Sequence, residues 1–259
     1  MIHILMAGVT HRAWLLWRIE WHVFQQRWFS RIAWTFGEPI LYAVMFGLGF
    51  EPFIPTMTGL TYLQFLAPGL LIGYTMYTSC FECTYNTYSA LNDQQWFDAL
   101  LATPLTPADV AGGTMLWGAT RGFIIGFGMF LFCFAVGAMK SAGAWLAFPI
   151  IIMTGLAFSA IGTWLSAYVK SFDHFNYLWG FYIAPAFIVT GIFFPVDSLP
   201  VWLQAVGYAF PTMYVVGPLR HLFVGAFTPD DGWHVLIMVG ITVFLWHLAV
   251  RSLSRRLIT

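Results

Sequence analysis

Charge is what this sequence has least of. Only 8% of its 259 residues are Asp, Glu, Lys or Arg, where an ordinary soluble domain carries about 25%. Eleven basic and eleven acidic side chains cancel, which excludes the basic surface that nucleic-acid binding needs. Lysine is nearly missing. Neither Lys140 nor Lys170 follows the glycine that a Gly-x-x-x-x-Gly-Lys-Ser/Thr phosphate loop requires, so this chain is not expected to hydrolyse ATP by itself. A Gly-x-Ser-x-Gly nucleophile elbow is also missing. Cysteine is scarce: Cys80-x-x-Cys83 has redox or half-zinc spacing, but no second pair or nearby histidine completes it. With Cys133 these thiols read as small helix-packing residues. The seven histidines are scattered, without HExxH spacing, and no metal site is expected.

In place of charge there is grease: 59% apolar and 19% aromatic residues, with a mean hydropathy of +0.75. Uncharged runs occupy 52–81, 122–139, 141–169, 174–196, 198–219 and 232–250. A helix needs about 20 mostly apolar residues to cross a hydrocarbon core roughly 30 Å thick. Backbone amides there must be satisfied internally, and the runs lack barrel-like alternation, so helices are expected. The fold class is an all-α polytopic membrane protein, one domain over 1–259. Spans are expected at about 32–50, 61–81, 120–139, 144–166, 175–196 and 232–250.

Run 198–219 is ambiguous, because Pro200, Pro211 and Pro218 break it into short pieces. Cations decide the parity. Arg12, Arg18, Arg27 and Arg31 precede the first span and Arg251, Arg255 and Arg256 follow the last. With both ends cytoplasmic the crossings must be even in number, hence six. Residues 197–231 then form a broken, re-entrant or interfacial hairpin on the outer side. Lys170 falls inside and Arg121 at the boundary, leaving only Lys140 and Arg220 outside. The start of the chain is too short and poorly flanked for a cleaved signal peptide. Within 11–31, Trp14, Trp17, Trp21, Phe24 and Trp28 form a helical stripe apart from Arg18, His22, Gln25 and Gln26. That pattern describes an amphipathic helix lying in the membrane interface, or one packed on a partner.

Ionisable residues near or inside spans are functional suspects. Glu82 and Arg121 fall at the inner ends of spans two and three, where they either pair or snorkel separately. Glu38, just before Pro39, lies about 10 Å along the helix from Arg31, an unusual place for an acid and a candidate for a pathway or gate. Segment 92–109 carries Asp93 as an N-cap, then 94–102 with Trp96, Phe97, Leu100 and Leu101, stopped by Pro104 and Pro107. It reads as a short amphipathic helix, either docking a cytosolic partner or resting on headgroups.

Three stretches resemble the permease subunits of type-2 ABC exporters, most of all the nodulation lipo-oligosaccharide branch: GEPILYAVMFGLGF (37–50), FDALLATPLTPADVAGGTMLWGATRG (97–122) and APAFIVTGIFFPVDSLPVWLQAVGYAFPTMYVVGPLRHLFVG (184–225). The resemblance covers essentially the whole chain. It departs at Gly113-Thr114, where relatives often carry a glutamate, and at Pro211-Thr212-Met213-Tyr214, where they tend to have Pro-Leu-Thr-His. The resemblance implies a bacterial inner-membrane exporter subunit, with two permease copies (a homodimer is expected) and two cytosolic ATPase subunits. The chain itself needs no cofactor; ATP and Mg belong to the ATPase. The resemblance also makes 94–103 the coupling helix, with Gln94, Trp96, Phe97, Asp98, Leu100, Leu101 and Thr103 facing the ATPase.

The expected cargo is an amphipathic or lipid-linked oligosaccharide, moved by alternating access. Tyr42, Phe46, Tyr74, Tyr77, Phe81 and Tyr182 are candidates for stacking on sugar rings or lining an acyl path, beside the ionisable candidates Glu38, Glu82 and Arg121. Packing or lipid-facing aromatics are the plainer alternative. A hydrophobic drug or another lipid is the alternative cargo. A membrane-embedded enzyme is disfavoured by the lack of clustered acids, histidines or a nucleophile, and a passive channel by the lack of a polar filter segment.

Overall fold

The computed structural model describes residues 8–26, 28–50, 53–54, 59–92 and 96–258, without the side chains of 30–34 and 48. Its regular structure is helical, with no strand among the described residues. The long elements are α1 (Ala13–Gln26), α2 (Trp28–Phe50) and α3 (Tyr62–Asn92), then, after the short α4 (Trp96–Leu101), α5 (Pro107–Ala135). A 3₁₀ turn, Ala142–Leu146, leads into α6 (Ala147–Ser166). Next come α7 (Phe175–Leu178), a π-turn over Trp179–Ile183, and α8 (Ala184–Val189). The chain then folds into α9 (Val201–Gly207), α10 (Met213–Val224) and α11 (Pro229–Ile258). Among the described residues, Pro107–Ala135, Ala142–Ser166 and Pro229–Ile258 are both long and apolar enough to cross a membrane.

Helix α3 is the centre of the bundle, packed against α5 and α6, which also pack on each other. Small residues make this possible. A Cβ on Gly118 of α5 would collide with Cys83 Sγ, and one on Gly162 of α6 would come 2.7 Å from the Cys80 carbonyl. Cys80, Cys83 and Cys133 are buried and free, as packing residues should be. Several buried hydroxyls are satisfied within their own helices: Thr75 donates to the Leu71 carbonyl, Thr154 to Ile150 and Thr242 to Met238. Large apolar side chains such as Met45, Phe134, Phe181 and Phe244 stay on the outside, a surface suited to hydrocarbon rather than water.

Several expected boundaries shift. Helix α3 runs past residue 81 to Asn92, because a polar tail without Gly or Pro leaves the lipid but has no reason to unwind. Pro107 does not stop a helix; it starts α5. Thr106 and Asp109 form a capping box there, and proline at the first helical position loses no hydrogen bond. Arg121 therefore lies well inside α5. The fifth expected span is shorter than 175–196, ending at Val189 with Gly191 at φ +83°. Residues 175–189 rise only about 22 Å at 1.5 Å each. The π-turn just ahead of Pro185 absorbs the missing amide and the clash of the proline ring with the preceding turn. Pro218 lies inside α10 and breaks nothing. The Asp93 cap, Gln94, Arg27 and the side chain of Arg31 lie outside the described residues.

Candidate functional site

An open cleft of about 540 Å³ runs between α2, α3 and the α7–α8 segment. On α3, Tyr74, Tyr77, Phe81 and Tyr85 recur at helical spacing along one face and line it. Across from them stand Trp179 and Phe187, with Glu38 and Tyr42 contributed by α2. The rings form a continuous ladder. Tyr77 lies 4.9 Å from Trp179, Phe81 4.6 Å from Tyr85 and Tyr74 6.0 Å from Phe187. Trp179 Nε1 donates to the Tyr85 hydroxyl at 3.0 Å, which fixes both rings. Glu38, exposed in the cleft, is the one acid in its lining.

Five of the residues singled out from sequence meet here: Glu38, Tyr42, Tyr74, Tyr77 and Phe81. Phe46 extends the ladder on α2, stacked 5.6 Å from Tyr42 and edge-on 6.0 Å from Phe193. Tyr182 does not join them. The π-turn directs it to a separate apolar cavity of about 590 Å³ between α6, α7 and α11, where it packs 5.0 Å from Phe210. The sequence reading missed Tyr85, Trp179 and Phe187. Tyr85 was legible as the next turn after Phe81; Trp179 and Phe187 were not, because a π-turn rotates everything around it by an amount no 3.6-residue pattern carries.

Glu82 and Arg121 form a buried ion pair, Nε to Oε2 3.4 Å, away from the cleft. Glu82 also accepts from Trp117 Nε1 at 3.0 Å and from Asn86 at 2.9 Å. Arg121 reaches Thr35 on α2 at 3.3 Å and lies 4.9 Å over the Phe24 ring of α1. Four helices converge on this pair, so separate snorkelling is ruled out.

Helix α4 turns part of its apolar face inward. Phe97 and Leu100 are 4% and 6% exposed, packed in a cluster with Ala90, Val110, Ala111 and Leu253. They anchor α4 to its own bundle. What faces outward is Trp96, Asp98 and Thr103, with Leu101 half-buried. The N-terminal segment joins the same end. Arg12 Nη1 donates to the Pro104 carbonyl at 2.6 Å. Fully buried Asp109 accepts from the Thr10 amide and hydroxyl on one oxygen and from those of Thr106 on the other. Asp109 lies ahead of the apolar run of α5. Burial alone would raise its pKa, but these four bonds outweigh it and hold the carboxyl below its ordinary value.

A profile of the ABC-2 type transporter family matches residues 11–224. The chain belongs to that family. It is 28% identical over 249 residues to Nodulation protein J of Rhizobium leguminosarum bv. viciae, covering 94% of this chain and 95% of that protein. It is 26% identical over 242 residues to Nodulation protein J of Rhizobium meliloti (strain 1021), covering 93% and 92%. It is also 23% identical over 251 residues to the Inner membrane transport permease YadH of Escherichia coli (strain K12), covering 93% and 95%. As an ABC-2 family member the chain is the membrane-embedded subunit of a transporter, and membership implies an ABC ATPase subunit as partner. The ring-lined cleft is thus a cleft in a transport subunit.

Proposed function

We propose that this chain is the inner-membrane subunit of an ATP-driven exporter that moves an amphipathic or lipid-linked saccharide. The aromatic cleft with its single carboxylate carries the reading. Sugar rings present C–H faces that stack on tyrosine and tryptophan, an acyl chain runs along the same apolar wall, and Glu38 accepts hydrogen bonds from hydroxyls. The saccharide cargo itself is what the sequence resemblance to the lipo-oligosaccharide branch implies. The topology proposed is six crossings, both chain ends cytoplasmic, α1 in the interface and α9–α10 as an outer hairpin.

Two copies of the chain work with two copies of the ATPase, which holds the ATP and Mg. Closure of the ATPases moves α4 through Trp96, Asp98 and Leu101, with Thr103 just after it, while Phe97 and Leu100 transmit that motion to α3, α5 and α11; Gln94, outside the described residues, is assigned to the same contact from its place in the sequence. The cleft opens alternately to the two sides because α4 contacts the nucleotide states differently. The test is cargo-stimulated ATP turnover by the complex in lipid. Tyr77→Ala and Trp179→Ala are expected to weaken the apparent affinity for an amphipathic oligosaccharide about fivefold, the value of one stacking contact. Unchanged stimulation in both variants overturns the cleft assignment.

A further inference from the structure

The bundle end that carries α9 and α10 holds another cavity, of about 510 Å³, which shares no lining residue with the aromatic cleft. Among the described residues, four ionisable side chains line it: Lys140, Asp197, Arg220 and His221. Lys140 and Arg220 are far apart in sequence and no local pattern joins them. The fold does. The amides of Lys140 and Ser141 both donate to the Phe223 carbonyl, at 2.7 and 3.1 Å, one turn beyond Arg220 on α10.

The environment of Arg220 is the informative one. Its Nε and Nη2 donate to the Phe65 carbonyl at 3.3 and 3.1 Å, and Nη2 also donates to the Gly191 carbonyl at 3.0 Å. The guanidinium lies 3.6 Å over the Phe65 ring. Each of these partners is neutral. Arg220 is half-buried, and a charge drawn out of water normally stands against an opposite one, yet among the described residues no carboxylate pairs with Arg220, and its Nη1 makes no hydrogen bond. The exposed ammonium of Lys140 is likewise without an ion pair. Asp197, the acid in the wall, pairs with neither cation. Asp231 is spent elsewhere: it accepts from the Thr228 amide and hydroxyl at 2.8 and 2.9 Å and sits 2.8 Å from His221 Nδ1. Among the described residues of the lining, two permanent cations thus face one carboxylate.

We propose that this cavity is an oxyanion site that takes a phosphate group, with Arg220 Nη1 and Lys140 Nζ as its charged donors. The remaining Arg220 donors hold the guanidinium plane in place, so the fork is oriented before a ligand arrives. The phosphate of an anionic lipid headgroup and free inorganic phosphate share this chemistry. The proposal requires neither the cargo nor the ATPase coupling inferred above, and its failure leaves both standing.

Lys140→Gln is the decisive variant, because only the Lys140 backbone supports the fold, whereas Arg220 ties α10 to α3 and to the end of α8. The full chain is placed in nanodiscs of phosphatidylcholine with a minor share of phosphatidylglycerol, and native mass spectrometry reads the lipids it retains. A parallel sample in neutral detergent is melted with and without inorganic phosphate. Preferential retention of phosphatidylglycerol, or a phosphate-dependent rise in melting temperature, is expected for the wild type. Either effect should fall about tenfold in apparent affinity in K140Q, the loss of one charge-assisted hydrogen bond, and return in K140R. Phosphatidylglycerol displaced by inorganic phosphate marks a site for the bare oxyanion; retention despite phosphate marks a headgroup site. The proposal is overturned if the wild type shows neither effect, or if the effect it shows persists undiminished in K140Q.

Discussion

Glu82 illustrates how a single residue decides the stability of a low-charge protein. Replacing it by leucine leaves Arg121 inside the bundle without a counter-charge, at an expected cost of about 3–5 kcal/mol. Glu82→Leu should therefore lower the melting temperature in detergent sharply, and Arg121→Met on top of it should recover most of the loss; no recovery would sink the ion-pair account. Asp109 acts by a different route. Its folded pKa is depressed, so its contribution is complete above the unfolded value of about 3.9 and is lost as pH falls through the lower folded one. Asp109→Asn should cost stability at neutral pH and flatten the acid limb of the stability profile, read by melting the two proteins across pH. Glu82 and its ion-pair partner Arg121 stood out in the sequence as charges among apolar neighbours. Asp109 did not, and neither did Trp117 or Thr10, which are unremarkable until the chain folds.

Helix α4 is the element whose chemistry changes most between sequence and structure. An amphipathic pattern says that an apolar face is covered, not by what. Phe97 and Leu100 are covered by the chain's own α3, α5 and α11, which leaves Trp96 and Asp98 for a partner. Trp96→Asp should leave the stability within about 0.5 kcal/mol of wild type, read by thermal melting, and uncouple ATP turnover from transport. Phe97→Asp should instead destabilise the fold by several kcal/mol, on the order of burying an unpaired charge. If Trp96→Asp keeps full coupling, the outward face of α4 is not the contact. The α7–α8 segment teaches the complementary lesson. Its apolar run was visible, but a proline, a π-turn and a left-handed glycine shortened it and sent Tyr182 away from the cleft while bringing Trp179 in.

At the scale of the whole molecule, the segment 9–16 and the last turns of α11 meet. Val9, Ala13 and Leu16 share one buried cluster with Ala249, Val250 and Leu253, beside α4. Lys140 and α10 belong to the other end of the bundle, with the start of α3. Reporters fused at the two ends should accordingly be accessible from the same side of the membrane, and a cysteine introduced in the α9–α10 loop from the opposite side. Accessibility of the two ends from different sides would refute the six-crossing proposal.

Composition and spacing determined the solvent of this protein, its helical class and one face of its cleft. These follow from rules that act along the chain: twenty apolar residues bury themselves in hydrocarbon, and every fourth ring on a helix shares a side. Only tertiary structure decided which charges are neutralised within the bundle and which are left bare. Glu82 found Arg121, and Arg220 found only carbonyls and a ring. In a medium of low dielectric that difference is large, and it depends on distances between segments that no sequence pattern records.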